Sequence, residues 1–131
     1  DSIVKSVKED GVRIVILDDC GFDKEHKVIP MAMAVGRLNA VLIEAKLRHL
    51  VSIVACSGEV VDSHSAAVLI GYGASAIYPN LLFATVVNKL ESSKTLNMTC
   101  FEALKAVHTA LNSGLLKIMS KMGIATIASY R

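Results

Sequence analysis

Two short apolar runs restrict the folds open to this chain more than any other feature. "VRIVIL" (Val12 to Leu17) and "LVSIVAC" (Leu50 to Cys56) are rich in β-branched residues and lack a regular polar alternation. Runs of this kind read as strands buried on both faces, because a half-exposed strand would place polar residues at every second position. Between them, Pro30 opens a helical pattern in which Met31, Val35, Leu38, Leu42 and Ala45 share one stripe. Glu44 and Arg48 are spaced as an i,i+4 pair on another face of that helix. Before the first run, Ser2 to Glu9 has helical spacing, and Gly11 stands where a helix would stop.

The rest of the chain keeps the rhythm. Asp62 or Ser63 can cap a helix to about Ile70, Gly71 would stop it, and Ala74 to Tyr78 reads as a third strand. Pro79 opens the helix "PNLLFATVVNKL", and Ser92 to Asn97 is a polar linker. Thr99 and Glu102 have capping-box spacing and start a helix with Cys100, Leu104, Val107 and Leu111 on its inner face. Ser113-Gly114 is expected to interrupt that helix, which resumes as "LLKIMSKM" and ends at Gly123. "IATIAS" is then a fourth strand. This alternation predicts a single α/β domain over residues 1–131. It would have about four parallel strands alternating with helices, half-barrel-like or a small open three-layer βα sheet.

Composition narrows the function. The chain is 53% hydrophobic with mean hydropathy +0.50 over 131 residues, a surplus that implies two-sided burial or a surface normally covered by something else. Aromatic residues are 5% and Trp is absent, which argues against base stacking. The net charge of +2 is scattered, so nucleic acid is not expected as a partner. Val28 to Ala45 is broken by Arg37, Asn39 and Glu44, so no membrane span is expected. The chain begins at Asp1 without a signal-peptide pattern, which suggests a piece of something longer.

The candidate motifs have plain readings. Gly71, Gly73 and Ala76 spell GxGxxA, but a dinucleotide turn needs a strand before the first glycine and a helix after the last. Here a helix runs into Gly71 and a strand leaves Gly73, so Gly71 reads as a left-handed helix stop, with Gly73 easing the turn. Asp18-Asp19 at a strand end resembles the magnesium site of receiver domains. No acceptor carboxylate ends the second or third strand, so the pair reads as a solvated strand end or a partner-facing loop. Cys20, Cys56 and Cys100 show no CxxC spacing and read as reduced, core-filling thiols. His26, His49, His64 and His108 show no ligand spacing, and Ser57-Gly58-Glu59 lacks the flanking glycine of a nucleophile elbow. Met31, Met33, Met119 and Met122 are expected in the core. No catalytic, cofactor-binding or metal residue is assigned.

Taken in order, these segments resemble the central domain of the glutamate synthase large subunit. "GLLKIMSKMGIATIASYR" (Gly114 to Arg131) carries the likeness most specifically, supported by "LIGYGASAIYPNL", "IPMAMAVGRLNAVLI" and "LVSIVACSGEV". Tyr78 and Asn80 stand where the family usually has Asn and Tyr around Pro79, and Val61 and His64-Ser65-Ala66 replace its usual Arg and His-His-Phe. The resemblance implies a parent enzyme that makes two glutamates from glutamine and 2-oxoglutarate, using a nicotinamide or ferredoxin donor. It implies FMN and an iron–sulfur cluster in that parent and no cofactor in this segment, with a cytoplasmic or stromal location. This segment would then be a non-catalytic scaffold joining the amidotransferase and FMN domains and helping enclose the ammonia route. Excised, it would self-associate through its apolar surface. The alternatives are a stand-alone α/β binding or receiver-like signalling module, and a nucleotide-binding enzyme.

Overall fold

The structure is a computed structural model that describes residues 2–21, 25, 27–92 and 97–130. Helix α1 (Ser2–Glu9) leads into strand β1 (Ile14–Asp18), and helix α2 (Met31–Glu44) leads through the 3-10 turn Arg48–Leu50 into β2 (Ser52–Cys56). Helix α3 (Ser63–Tyr72), strand β3 (Ala76–Tyr78), α4 (Asn80–Ser92) and α5 (Cys100–Met122) follow, and the 3-10 turn Ile127–Tyr130 comes last. The three strands are parallel and lie in the order β1-β2-β3, with Ile16 paired to Val54 and Val54 to Ala76.

Sequential order decides where the helices go. Right-handed crossovers that always step to the next strand in the same direction lay their helices on the same face, as in a barrel wall. Met31, Val35, Leu38 and Leu42 of α2 and Ala66 and Leu69 of α3 accordingly share one core with Ile53 and Ala55 of β2. Val15, Leu17 and Ile77 pack against that core from the flanking strands, and Val7 joins it from α1. The expected α2 stripe is therefore the main wall of the core. Met33, two residues off the stripe, is 66% exposed instead of buried, and Met122 is 52% exposed.

Local signals account for several boundaries. Asp62 caps α3 by accepting a hydrogen bond from the Ser65 N–H at 2.7 Å, and the Thr99–Glu102 capping box forms as its spacing implies. The stop after α3 is Gly73 (φ +122°), not Gly71, which lies within the helix. Glu44 sits 3.9 Å from Arg37. Arg48 is turned inward. Its guanidinium donates to Asn39 Oδ1 at 2.6 Å, to the Val51 carbonyl at 2.6 Å and to the Gly73 carbonyl at 2.7 Å. One side chain thus ties α2 to the entry of β2 and to the turn before β3.

Two expectations near the carboxyl end are corrected. α5 runs unbroken through Ser113-Gly114, because Gly114 answers to packing and not to a helix break. A Cβ built on Gly114 would lie 2.5 Å from Ser63 Cβ, so the missing side chain is what lets α5 cross the start of α3. "IATIAS" is not a fourth strand. Gly123 ends α5 in the left-handed conformation (φ +72°), and the Ile124 N–H returns to the Met119 carbonyl at 3.1 Å. The chain then folds back so that the Tyr130 ring lies over Gly71 of α3. A short apolar run does not distinguish these outcomes by periodicity.

Gly114→Ala gives a sign test of this reading. Helix propensity alone would stabilise the variant by about 1 kcal/mol. Overpacking against Ser63 is expected to win, with a net loss of roughly 1–2 kcal/mol in denaturant unfolding. Adding Ser63→Gly should recover most of that loss.

Candidate functional site: an open sheet face and its carboxyl edge

Side chains alternate along a strand, so the residues between those in the core point the other way. The register places Ile14 beside Ser52, Ile16 beside Val54 and Ala76, and Asp18 beside Cys56 and Tyr78. Ile14 is 62% exposed, Ile16 is 64% exposed and Tyr78 is 51% exposed; Val54 and Cys56 are half-buried. Among the described residues, the strands expected to be buried on both faces are therefore covered by helices on one face only. Phe83 of α4 meets Tyr78 edge to face with ring centroids 5.3 Å apart, which covers only one corner of the other face.

The carboxyl edge of this face is built around Asp19. Its carboxylate accepts from the Ser57 hydroxyl at 2.6 Å and from the Gly58 N–H at 3.0 Å, and from Asn80 Nδ2 at 3.2 Å. The Asp19 N–H donates to the Cys56 carbonyl and the Ser57 N–H to the Tyr78 carbonyl, so the ladder continues one residue past the strands. Asp19 is thus a clamp across the strand ends, where the sequence suggested a solvated acid. Ser57 is fully buried, and its Oγ also accepts the Glu59 N–H at 3.1 Å, so the turn that resembled a nucleophile elbow is structural.

Asp18 remains exposed beside two thiols. Its Oδ1 accepts the Cys20 N–H at 2.9 Å. Hydrogen bonding from the Cys20 side chain, and then from its backbone, holds the Asp18 carboxyl below its ordinary range, and the same contact pushes the Cys20 thiol up. Burial, followed by the hydrogen bond and charge of Asp18, pushes the Cys56 thiol up to about 11. Cys20 and Cys100 are exposed and Cys56 is half-buried, so the thiols are not core filling as expected. His49, His64 and His108 are exposed, and His26 lies outside the described residues.

The GxGxxA segment keeps its expected order, with α3 running into the glycines and β3 leaving them. The turn offers a helix carboxyl end, not the amino end that pyrophosphate prefers. An iron–sulfur cluster needs at least three thiolates gathered at one point; Cys20 and Cys56 lie together but Cys100, at the start of α5, does not join them, so the donor set does not fit that group. Among the described residues, no helix is long and apolar enough to cross a membrane.

Sequential winding with one sealed and one open apolar face defines a parallel α/β module of the barrel-wall type. The chain belongs to the glutamate synthase central-domain family, whose profile matches residues 1–131. It is 40% identical over 121 residues to the glutamate synthase [NADPH] large chain of Bacillus subtilis, covering 92% of this chain and 8% of that one. It is 40% identical over 131 residues to the chloroplastic ferredoxin-dependent glutamate synthase 2 of Arabidopsis thaliana, with coverage of 92% and 8%. Glutamate synthase [NADH] of Schizosaccharomyces pombe is 32% identical over 123 residues, with coverage of 93% and 6%. The chain therefore spans less than a tenth of the length of these relatives.

Proposed function

We propose that this chain is a non-catalytic scaffold segment of a glutamate synthase large chain, seated between an amidotransferase domain and an FMN domain and helping to enclose the ammonia route between them. The observation that carries this reading is the open face of Ile14, Ile16, Val54 and Tyr78. Parallel sheets are normally covered on both faces, and the described residues supply helices for one. Most of the length of its relatives lies outside the matched region, which leaves ample polypeptide to supply the second cover. FMN and the iron–sulfur cluster would belong to those other parts.

The receiver-like alternative has less support. In the doubly wound order 2-1-3-4-5 the first strand lies inside the sheet with helices on both faces. Here β1 is at an edge of the described sheet, and the middle strand ends in Cys56 where a receiver would present its acceptor acid.

Ile16→Lys, made in the whole polypeptide, tests the proposal. Ile16→Lys should leave glutamine hydrolysis intact while lowering glutamate formed per glutamine consumed several-fold, with ammonia released to solvent. Thr109→Lys, on an exposed part of α5, should not uncouple the two reactions. Full coupling in a folded Ile16→Lys protein would remove the scaffold reading.

A further inference from the structure

We infer that the carboxyl edge of the open face is a binding site for a thiophilic divalent cation of the zinc class, held by Asp18, Cys20 and Cys56. One ligand atom from each residue lies within 4.8 Å of the other two. Two sulfurs and a carboxylate oxygen are a donor set that suits zinc and cadmium and does not suit magnesium or calcium. In a tetrahedral zinc site the sulfurs sit about 2.3 Å from the metal, and donors stand roughly 3.5–4 Å apart. The cluster closes to that spacing by side-chain movements of about an ångström, with the fourth position open to water.

The geometry is prepared by the fold and not by local spacing. Asp18 and Cys56 are register partners in adjacent parallel strands, so both side chains leave the same face of the sheet. Cys20 follows at the start of the loop, where its N–H is held by Asp18. Asp19 locks the backbone between them by binding Ser57 and Gly58. Asn80 reaches both sulfurs, with Nδ2 2.6 Å from Cys20 Sγ and 3.7 Å from Cys56 Sγ. Donors directed at metal-bound sulfur are the outer-shell support such sites use. A disulfide would engage the two sulfurs and leave the carboxylate without a role; a cation engages all three. Its binding replaces the two thiol protons, which pass to solvent.

The test is zinc uptake by the whole reduced protein, measured by equilibrium dialysis together with X-ray absorption at the zinc edge. The edge is element-specific and unaffected by other metals in the polypeptide. The expected result is one zinc per chain with two sulfur neighbours at about 2.3 Å and the remainder oxygen or nitrogen. Cys20→Ser and Cys56→Ser should each weaken binding at least tenfold, and Cys100→Ser should not change it. No zinc retained after dialysis would overturn the inference. So would zinc whose sulfur neighbours persist in Cys56→Ser, or a Cys20–Cys56 disulfide that forms equally fast with and without zinc. None of these outcomes depends on the scaffold reading.

Discussion

Replacing Gly73 by alanine is expected to destabilise the fold by roughly 2–6 kcal/mol, the larger of two effects predicted at single positions. Two independent causes add. The backbone there has φ +122°, a conformation that side-chain-bearing residues rarely adopt, and strain of this kind costs about 1–3 kcal/mol. The new Cβ would also stand 2.6 Å from Asn39 Cγ, so α2 or the turn must shift, at a further ~1–3 kcal/mol. Asn39 cannot move away cheaply, because Arg48 holds its Oδ1 at 2.6 Å while also binding the Gly73 carbonyl. Chemical denaturation followed by circular dichroism measures the loss directly. A variant as stable as the parent would mean that the turn has slack the structure does not show.

Asp19→Ala is the second large effect, a loss of about 2–4 kcal/mol, because hydrogen bonds to a charged acceptor contribute roughly 1.5–3 kcal/mol and do not add fully. The substitution strips the acceptor from the Ser57 hydroxyl, which is fully buried, and from the Gly58 N–H. Asp19→Asn retains one acceptor oxygen and should lose about half as much. Hydrogen exchange adds a local signature. Amides of residues 56–58 should lose protection in Asp19→Ala, while those of α5 keep theirs. Uniform loss along the chain would assign Asp19 to global stability and not to a clamp on the strand ends.

The elements that were legible in the sequence are those whose signal is local. The α2 stripe, the Asp62 cap, the Thr99–Glu102 box and the runs forming β1 and β2 each carry their cause within a few residues. Gly71 and Gly73 were both visible, yet which of them ends α3 depends on where Asn39 and Arg48 arrive from α2. Gly114 looked like a helix break because its reason lies 51 positions earlier, at Ser63. The trio of Asp18, Cys20 and Cys56 has no motif spacing, since sheet register and not sequence distance brings it together. "IATIAS" has the composition of a strand, but after Gly123 the chain turns back and sets Tyr130 on Gly71, a long-range contact that composition does not reveal.

The crossing at Gly114 also sets a mechanical tolerance. α5 has 23 residues, packs against both α3 and α4, and crosses the start of α3 at Gly114. At 1.5 Å rise per residue the stretch from Gly114 back to Cys100 is a lever arm of about 21 Å. Each degree of rotation about the crossing then displaces the start of the helix by about 0.4 Å. The fit of one hydrogen atom against Ser63 therefore governs how steadily the far end of the arm is aimed.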